Sequence, residues 1–261
     1  MLLLTELMQK KSMKVQIKGD CYVVGDIHGE TSVFTDVLSC YNITNCTLIL
    51  LGDIGIWRYR DYKSYKKIDD YGKEHNVTIY ALRGNHDNPA FFRNFEERSP
   101  IVTRFWDKFT HFKVLPDLTR LEVNGKNGIV IGGGVSIDRC CRRSFQRMET
   151  HGGVYKNNDW WKDENVPETD GINEKFDFIL SHTGPRPTKI GPLNETNCQF
   201  FKFDYDLKNQ IDTENCRLCE IHEQFQPVKW WFGHYHINDA FDLLQTRCYA
   251  VDILTLSPLQ F

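Results

Sequence analysis

Three short apolar segments in the first third of the chain each run into a glycine that is flanked by polar residues. They span residues 21–24, 47–51 and 77–82, and the glycines are Gly25, Gly52 and Gly84. Apolar residues at helical spacing between them predict helices over 30–40 and 61–75. An alternation of strand and helix predicts a parallel sheet with βαβ crossovers. The chain is therefore expected to be an α/β protein.

The rest of the chain is expected to add strands and one long helix. Residues 119–123 and 128–131 flank Asn124-Gly125-Lys126-Asn127, which is a hairpin signal. Further strands are predicted over 176–180, 228–232 and 247–253, and a helix over 206–224. Residues 139–173 are polar and aromatic with little periodicity, and we expect them to run over the surface. Without a linker or repeat, residues 1–261 are predicted to form one domain, with 1–12 as a loose tail if Met13 is the natural start.

Composition excludes several classes of protein. With 32 basic and 35 acidic residues, the net charge of -3 gives no overall attraction to nucleic acid or anionic lipid. The apolar run at residues 1–4 is too short to cross a membrane or to direct export. Nine cysteines without an export signal favour reduced thiols over a disulfide scaffold. We expect a soluble cytoplasmic protein, and the sequence leaves its oligomeric state open.

Polar residues of a few types follow five of the predicted strands. They are Asp26 and His28, Asp53, Asn85, His182, and finally His234 and His236. In open α/β sheets the carboxyl ends of strands are where ligands bind. Each signal alone is weak, because Asp26 also suits a helix N-cap and a single buried histidine is more often a core residue. Together, imidazole and carboxylate oxygen at this density predict a metal site.

The number of candidate ligands indicates two ions. Seven side chains exceed what one ion takes from a protein when a water position stays open, and a shared carboxylate lets two cations lie about 3.5–4 Å apart. Two divalent ions outweigh the charges of Asp26 and Asp53, so the site would favour an anion such as a phosphate ester. The mixed N/O set suits manganese, iron, cobalt, nickel or zinc, and manganese is the first ion to test in vitro.

These motifs resemble those of the calcineurin-like metallophosphoesterase superfamily, in order and in spacing, from about residue 23 to 236. The resemblance implies a four-layer α/β/β/α sandwich with mixed sheets and a dimetal centre at one edge. It implies that Asp26, His28 and His236 hold the first ion, that Asn85, His182 and His234 hold the second, and that Asp53 bridges the two. It also implies that a metal-bound hydroxide attacks the phosphate ester.

His86 looks like the general acid of that family, which protonates the leaving alkoxide. The alternative is that His86 only positions Asn85. One departure concerns Ile56 and Trp57, which occupy positions where the phosphoprotein-phosphatase branch has an Asp-Arg pair. The carboxylate that supports the histidine and the arginine that binds phosphate are both absent there, and either Arg58 or Arg60 could replace that arginine.

A second segment, Gly132 to Asp138 followed by Arg142, Trp160-Trp161 and Glu164, looks like one in small bacterial and phage-type members. Its three glycines would let the backbone approach a ligand closely. Arg139, Arg142, Arg143 and Arg147 would form one cationic stripe if the stretch were helical, either to bind phosphate or as a solvated basic face. Arg83 matches the protein-phosphatase branch, and a structural role is favoured for it.

Two other patterns have structural interpretations. Cys216, Cys219 and His222 have the spacing of zinc ligands but lack a clear fourth partner, so ordinary side chains are favoured. Trp230 and Trp231 follow each other within a strand, so one ring is expected in the core and the other under a helix. Trp160-Trp161 either fills the core or stacks on a base.

The leading functional hypothesis is a dimetal phosphoester hydrolase that acts on a phosphorylated small molecule or a nucleotide. The second is a phosphodiesterase or nuclease on nucleic acid, and the third is a protein phosphatase, which the residue at position 56 disfavours. The alternative from another class is a binding scaffold that has lost catalysis. All seven candidate ligands and His86 are present, which favours an enzyme.

Overall fold

The computed structural model describes residues 13–56, 62–94, 97–149, 160–191, 193 and 198–261. Its helices are α1 Thr31–Cys40, α2 Tyr62–His75, α3 Pro100–Trp106, α4 Arg139–Glu149 and α5 Leu207–Phe225. Its strands are β1 Lys14–Ile17, β2 Cys21–Val24, β3 Thr47–Leu50, β4 Thr78–Ala81, β5 Phe112–Val114, β6 Arg120–Val123, β7 Lys126–Ile131, β8 Phe178–Ser181, β9 Lys229–Phe232, β10 Asp239–Leu243, β11 Thr246–Ala250 and β12 Leu256–Pro258. The predicted strands and the three predicted helices are confirmed, with ends shifted by three residues or fewer.

The described strands form two mixed sheets. The five-stranded sheet has the order β12-β2-β3-β4-β5, and the seven-stranded sheet has the order β1-β6-β7-β8-β9-β11-β10. Strands β2, β3, β4 and β5 pair parallel with one another, as do β7, β8 and β9, whereas β12 pairs antiparallel with β2 and β6 antiparallel with β7. The predicted βαβ crossovers are confirmed from β2 to β4: α1 connects β2 to β3, and α2 connects β3 to β4.

Four layers pack on one another. Val23 and Ile49 of one sheet meet Leu180 and Trp231 of the other in a buried cluster between the sheets. Helices α1, α2 and α3 cover the outer face of the five-stranded sheet. Helix α5 covers the outer face of the seven-stranded sheet, where Ile221 lies in the core. The predicted α/β/β/α architecture is thereby confirmed.

The central strands are buried on both faces, so alternate side chains enter different layers. Val23 points between the sheets, whereas Val24 packs under the helices of the outer face. The two tryptophans of β9 divide in the same way: Trp231 lies between the sheets and Trp230 lies under α5. The predicted division of this pair is confirmed.

The prediction for residues 139–173 is wrong in part, because the stretch starts with helix α4 and is not wholly at the surface. Arg139 and Arg142 are 1% and 2% exposed, and Glu164 is 1% exposed. Arg139 donates to both oxygens of Asp204, at 2.7 and 2.9 Å, which neutralises its charge in the interior. The predicted cationic stripe therefore does not form, since Arg139 binds Asp204 and Arg142 donates to Asp138 at 3.0 Å.

Several sequence predictions fall on residues outside the described part of the chain. They concern the tail 1–12, Trp57, Arg58, Arg60, residues 150–159 and the side chain of Arg147. Trp160 is half-buried, with the Arg143 guanidinium 4.1 Å from the centre of its ring. The organisation of the whole chain as one domain stays a prediction.

All nine cysteines are free thiols. Cys216 and Cys219 are exposed, and His222 is buried with its Nε2 atom 2.9 Å from the Thr246 hydroxyl. The favoured interpretation of these three as ordinary side chains stays a prediction. Among the described helices, none combines the length and the apolar character that a membrane crossing requires. A cytoplasmic location stays a prediction.

Candidate metal centre

The carboxyl ends of five strands meet at one edge of the two sheets. Strands β2, β3 and β4 of the smaller sheet end before Asp26, Asp53 and Asn85, whereas β8 and β9 of the larger sheet end before His182 and His234. His28 and His236 follow on the same loops. All seven predicted ligands are thereby brought together, from both sheets.

Three of these side chains form one cluster. The Nε2 atoms of His28 and His236 lie 2.9 Å apart. The Oδ2 atom of Asp26 lies 3.0 Å from His236 Nε2 and 3.6 Å from His28 Nε2. These ligand atoms lie close enough together to surround one ion.

The other side chains form a second cluster. Asn85 Oδ1 lies 2.7 Å from His182 Nε2 and 3.1 Å from His234 Nδ1. Asp53 lies between the clusters, with Oδ1 3.4 Å from His182 Nε2 and Oδ2 3.9 Å from His28 Nδ1. Its position suits a ligand shared by two ions.

Four of the seven residues have backbone conformations that non-glycine residues rarely adopt. The φ angles of His28, Asp53, His234 and His236 are 44°, 49°, 65° and 50°. Such left-handed conformations cost about 1–3 kcal/mol each and cluster at functional sites. Their concentration here supports a functional role for this edge of the sheets.

The chemistry of the ligand atoms fits a divalent cation. His182 Nδ1 lies 2.8 Å from the Leu51 carbonyl oxygen, so Nδ1 carries the ring hydrogen and Nε2 presents a lone pair. That lone pair faces an oxygen of Asp53 at 3.4 Å, and the repulsion between two acceptors so close is relieved by a cation or a proton between them. Imidazole nitrogen and carboxylate oxygen are typical ligands of divalent transition metals.

The pKa values of the metal-free site are consistent with that fit. Burial, followed by the charges of Asp26 and Asp87, raises the pKa of Asp53 well above its ordinary value. Burial also lowers the pKa of His182 to about 4 and that of His234 to about 3. Both rings are therefore neutral near pH 7, which is the form that binds metals.

His86 lies beside the second carboxylate of the site. Its Nε2 atom is 3.9 Å from Asp53 Oδ2, and its backbone N–H donates to Asp53 Oδ1 at 2.7 Å. Its side chain is 25% exposed, whereas that of His182 is fully buried. Burial, and then the positive charges of Arg142 and His28, lower the pKa of His86 to about 2.

Asp87 belongs to the site, although the sequence analysis assigned it no role of its own. It is fully buried and accepts backbone N–H groups from Ile54, Gly55, Ile56 and Gly84, at 2.8 to 3.2 Å. One carboxylate thus joins the loops that carry Asp53 and Asn85. The signal was present in the sequence, since Asp87 closes the Gly84-Asn85-His86-Asp87 motif.

The three glycines after β7 approach other parts of the protein closely, and their approach to a ligand stays a prediction. A Cβ atom at Gly133 would overlap the Glu164 carbonyl oxygen, so this backbone approaches other protein segments. Arg83 lies there too: it donates to Asp117 at 2.9 Å and to the carbonyl oxygens of Glu164 and Asn165 at 2.8 Å. The favoured structural role of Arg83 is confirmed.

Comparison with known proteins gives one family match. The model of a family described as calcineurin-like phosphoesterase matches residues 21–238. No curated protein matches the chain significantly.

Several solved structures are similar at low identity. The protein TT1561 of Thermus thermophilus is 12% identical, with 92% of this chain and 97% of that one covered and a TM-score of 0.47. Phosphopantetheinyl hydrolase from Mycobacterium tuberculosis is 13% identical, with 91% and 90% covered and a TM-score of 0.45. A putative 5'-nucleotidase from Staphylococcus aureus is 12% identical, with 90% and 48% covered and a TM-score of 0.44.

Proposed function

Because the chain belongs to the calcineurin-like phosphoesterase family, which consists of metal-dependent phosphoesterases, we propose that it hydrolyses a phosphate ester of a small molecule or a nucleotide at this edge of the sheets. The observation that carries the proposal is the convergence of seven ligand side chains from five strand ends, with Asn85 Oδ1 only 2.7 Å from the lone pair of His182 Nε2. Such an arrangement is unfavourable without cations and favourable with them.

The family implies a dinuclear centre of divalent ions. We assign Asp26, His28 and His236 to one ion, Asn85, His182 and His234 to the other, and Asp53 to both. When bound, two such ions polarise phosphoryl oxygens and lower the pKa of a water molecule so that it can attack phosphorus. Manganese is the first ion to test, followed by iron, cobalt, nickel and zinc.

His86 is proposed to deliver the proton to the leaving oxygen. Its ring lies beside Asp53 and is 25% exposed, so it is open to solvent at the candidate site. Without substrate the ring is neutral, because burial lowers its pKa to about 2. A phosphate dianion beside the ring favours the protonated form, which is the direction that a proton donor requires.

A comparison of two chromogenic substrates tests the function. Purified protein with Mn²⁺ is given p-nitrophenyl phosphate, a monoester, and bis(p-nitrophenyl) phosphate, a diester. Faster hydrolysis of the monoester is expected, and preference for the diester would favour the nuclease alternative instead. Wild-type protein that binds metal but cleaves neither ester would indicate a catalytically silent scaffold.

Asp53→Asn is the matched variant for this assay. It keeps the size of the side chain but removes the charge that both ions would share, so turnover should be abolished and metal affinity lowered. The circular dichroism spectrum should stay that of the wild type, because Asp53 contributes no strand pairing.

A further inference from the structure

A buried hydrogen-bond chain extends from Asn85 away from the candidate metal centre. Asn85 Nδ2 donates to Ser136 Oγ at 2.9 Å, and Ser136 Oγ donates to Glu164 Oε2 at 2.6 Å. Arg142 Nη2 also donates to Ser136 Oγ. All four residues are 1% or 2% exposed. The chain therefore consists of protein groups shielded from water.

The hydroxyl of Ser136 has one hydrogen and two lone pairs, and each has a partner here. The hydrogen goes to Glu164, whose other oxygen accepts the Ser136 backbone N–H at 2.9 Å. The lone pairs accept from Asn85 and Arg142. Because its hydrogen is committed to Glu164, Ser136 can only accept from Asn85, so the NH₂ end of the amide must face it.

An amide group has two orientations of similar shape, and the other one would harm the site. If Asn85 were turned over, Nδ2 would lie near His182 Nε2, where Oδ1 now lies 2.7 Å away. The lone pair of His182 would accept that N–H, because its Nδ1 hydrogen already faces the Leu51 carbonyl oxygen. The turned amide would thus occupy a ligand lone pair and direct hydrogens at the cation.

We propose that Ser136 is a positioning residue, which acts with Glu164 to keep the oxygen of Asn85 directed at the second metal ion. The inference rests on the proposed function, since it requires that Asn85 binds metal. Partners of metal ligands typically change metal affinity by about 10–100-fold when they are removed.

Titration with Mn²⁺ by isothermal calorimetry tests the proposal without reference to turnover. Ser136→Ala should weaken the binding of one of the two ions by about 10–100-fold and leave the other at wild-type affinity. Thr119→Val is the matched control, because it deletes another buried hydroxyl, which donates to the Pro116 carbonyl oxygen and to none of the seven ligands. It should leave both affinities unchanged.

Glu164→Gln provides a second variant of nearly unchanged shape. Its amide cannot accept from both the N–H and the O–H of Ser136, so the hydroxyl hydrogen becomes free to point at Asn85. The affinity for the same ion should fall as in Ser136→Ala. In an Asn85→Asp background, whose two oxygens are equivalent, Ser136→Ala should have no further effect on Mn²⁺ affinity.

The outcomes separate this inference from the proposed function. Wild-type affinity for both ions in Ser136→Ala and Glu164→Gln would overturn the positioning role and leave the phosphoesterase intact. Ser136→Ala could also lower the Mn²⁺ affinity as much in the Asn85→Asp background as in the wild type. That result would overturn the positioning role, because it would indicate a general structural effect. Wild-type protein that binds no Mn²⁺ would overturn both.

Discussion

Gly84 leaves the space in which Asp53 reaches the centre of the site. A Cβ atom at this position would overlap the Asp53 carboxylate and backbone nitrogen. The backbone of Gly84 does not have a positive φ, so the requirement there is for space and not for conformation. A methyl group is enough to displace the Asp53 carboxylate.

Gly84→Ala should therefore weaken Mn²⁺ binding at least tenfold, which is within the range of about 10–100-fold seen when a ligand loses its support. Calorimetric titration measures this directly. Gly191→Ala is the control, since a Cβ there would meet no atom within 4 Å. Unchanged binding in Gly84→Ala would argue against a shared role for Asp53.

His86→Ala should affect substrates according to their leaving group. Loss of a proton donor costs about 10²–10⁴-fold in rate when the leaving alkoxide is basic. p-Nitrophenolate needs little protonation, so its release should be almost unaffected. Steady-state kcat values for an alkyl and a p-nitrophenyl ester measure the difference, and equal losses for both esters would instead support the role of positioning Asn85.

Glu214 on α5 is a carboxyl group whose pKa burial raises to about 8, although Val135 N–H donates to it at 2.7 Å. The folded state keeps this proton between about pH 4.5 and pH 8 while the unfolded state has lost it. Stability is therefore lost as the pH rises through this window. Glu214 thus opposes folding in alkaline solution.

Glu214→Gln removes the ionisation. The difference in melting temperature, variant minus wild type, should therefore increase as the pH is raised from below 4.5 to above 8. Thermal unfolding in EDTA measures this without bound metal. Glu220→Gln, whose side chain is 66% exposed on the same helix, serves as the control and should show no such trend. A constant difference for Glu214→Gln would contradict the expectation.

At the scale of elements, a single buried carboxylate can hold together parts of the chain that lie outside the strand pairing, because it accepts several backbone N–H groups. Asp87 does so for the loops after β3 and β4, at the site. Asp69 of α2 does so at the opposite edge of the sheet, where its Oδ1 accepts the backbone N–H groups of Thr110, His111 and Phe112 at 2.6 to 3.0 Å. The two carboxylates have the same chemistry but lie at different ends of the strands.

Asp69→Ala should lower the free energy of unfolding by about 2–4 kcal/mol, because three N–H groups lose their acceptor. Asp69→Asn keeps one acceptor oxygen and should lose less. Urea unfolding measures both, and Mn²⁺ affinity should match the wild type because the start of β5 is remote from the ligands. A large loss of metal affinity would contradict this separation of fold from site.

At the scale of the whole molecule, the site exists only when the two sheets pack. Asp26, Asp53 and Asn85 come from the smaller sheet, whereas His182 and His234 come from the larger one. Trp231, 2% exposed, lies in the core that holds the sheets together. Metal binding and packing of the sheets are therefore expected to be coupled.

Saturating Mn²⁺ should raise the melting temperature. A ligand at about 100 times its Kd stabilises by about 2.7 kcal/mol, which corresponds to about 5–10 °C for a chain of this size. Thermal unfolding with Mn²⁺ and with EDTA measures the shift. Asp53→Asn should largely lose it, and an equal shift in that variant would indicate ions bound elsewhere.

Much of the fold and the candidate site could be predicted from the sequence. Apolar strands that end in glycine and polar residues predict a parallel sheet and its ligand edge, and the family match confirms the resemblance that the motifs indicated. Short elements such as β5 and α3 were not predicted, because so few residues show no clear period.

The sequence by itself determined which residues are able to bind a metal and the order in which strands present them, because local patterns set strand ends. Only the tertiary structure decided how those residues are supported. Asn85 and Ser136 are 51 residues apart, and Arg139 and Asp204 are 65 apart. Pairings of this kind depend on how the layers pack, and no local pattern along the chain records them.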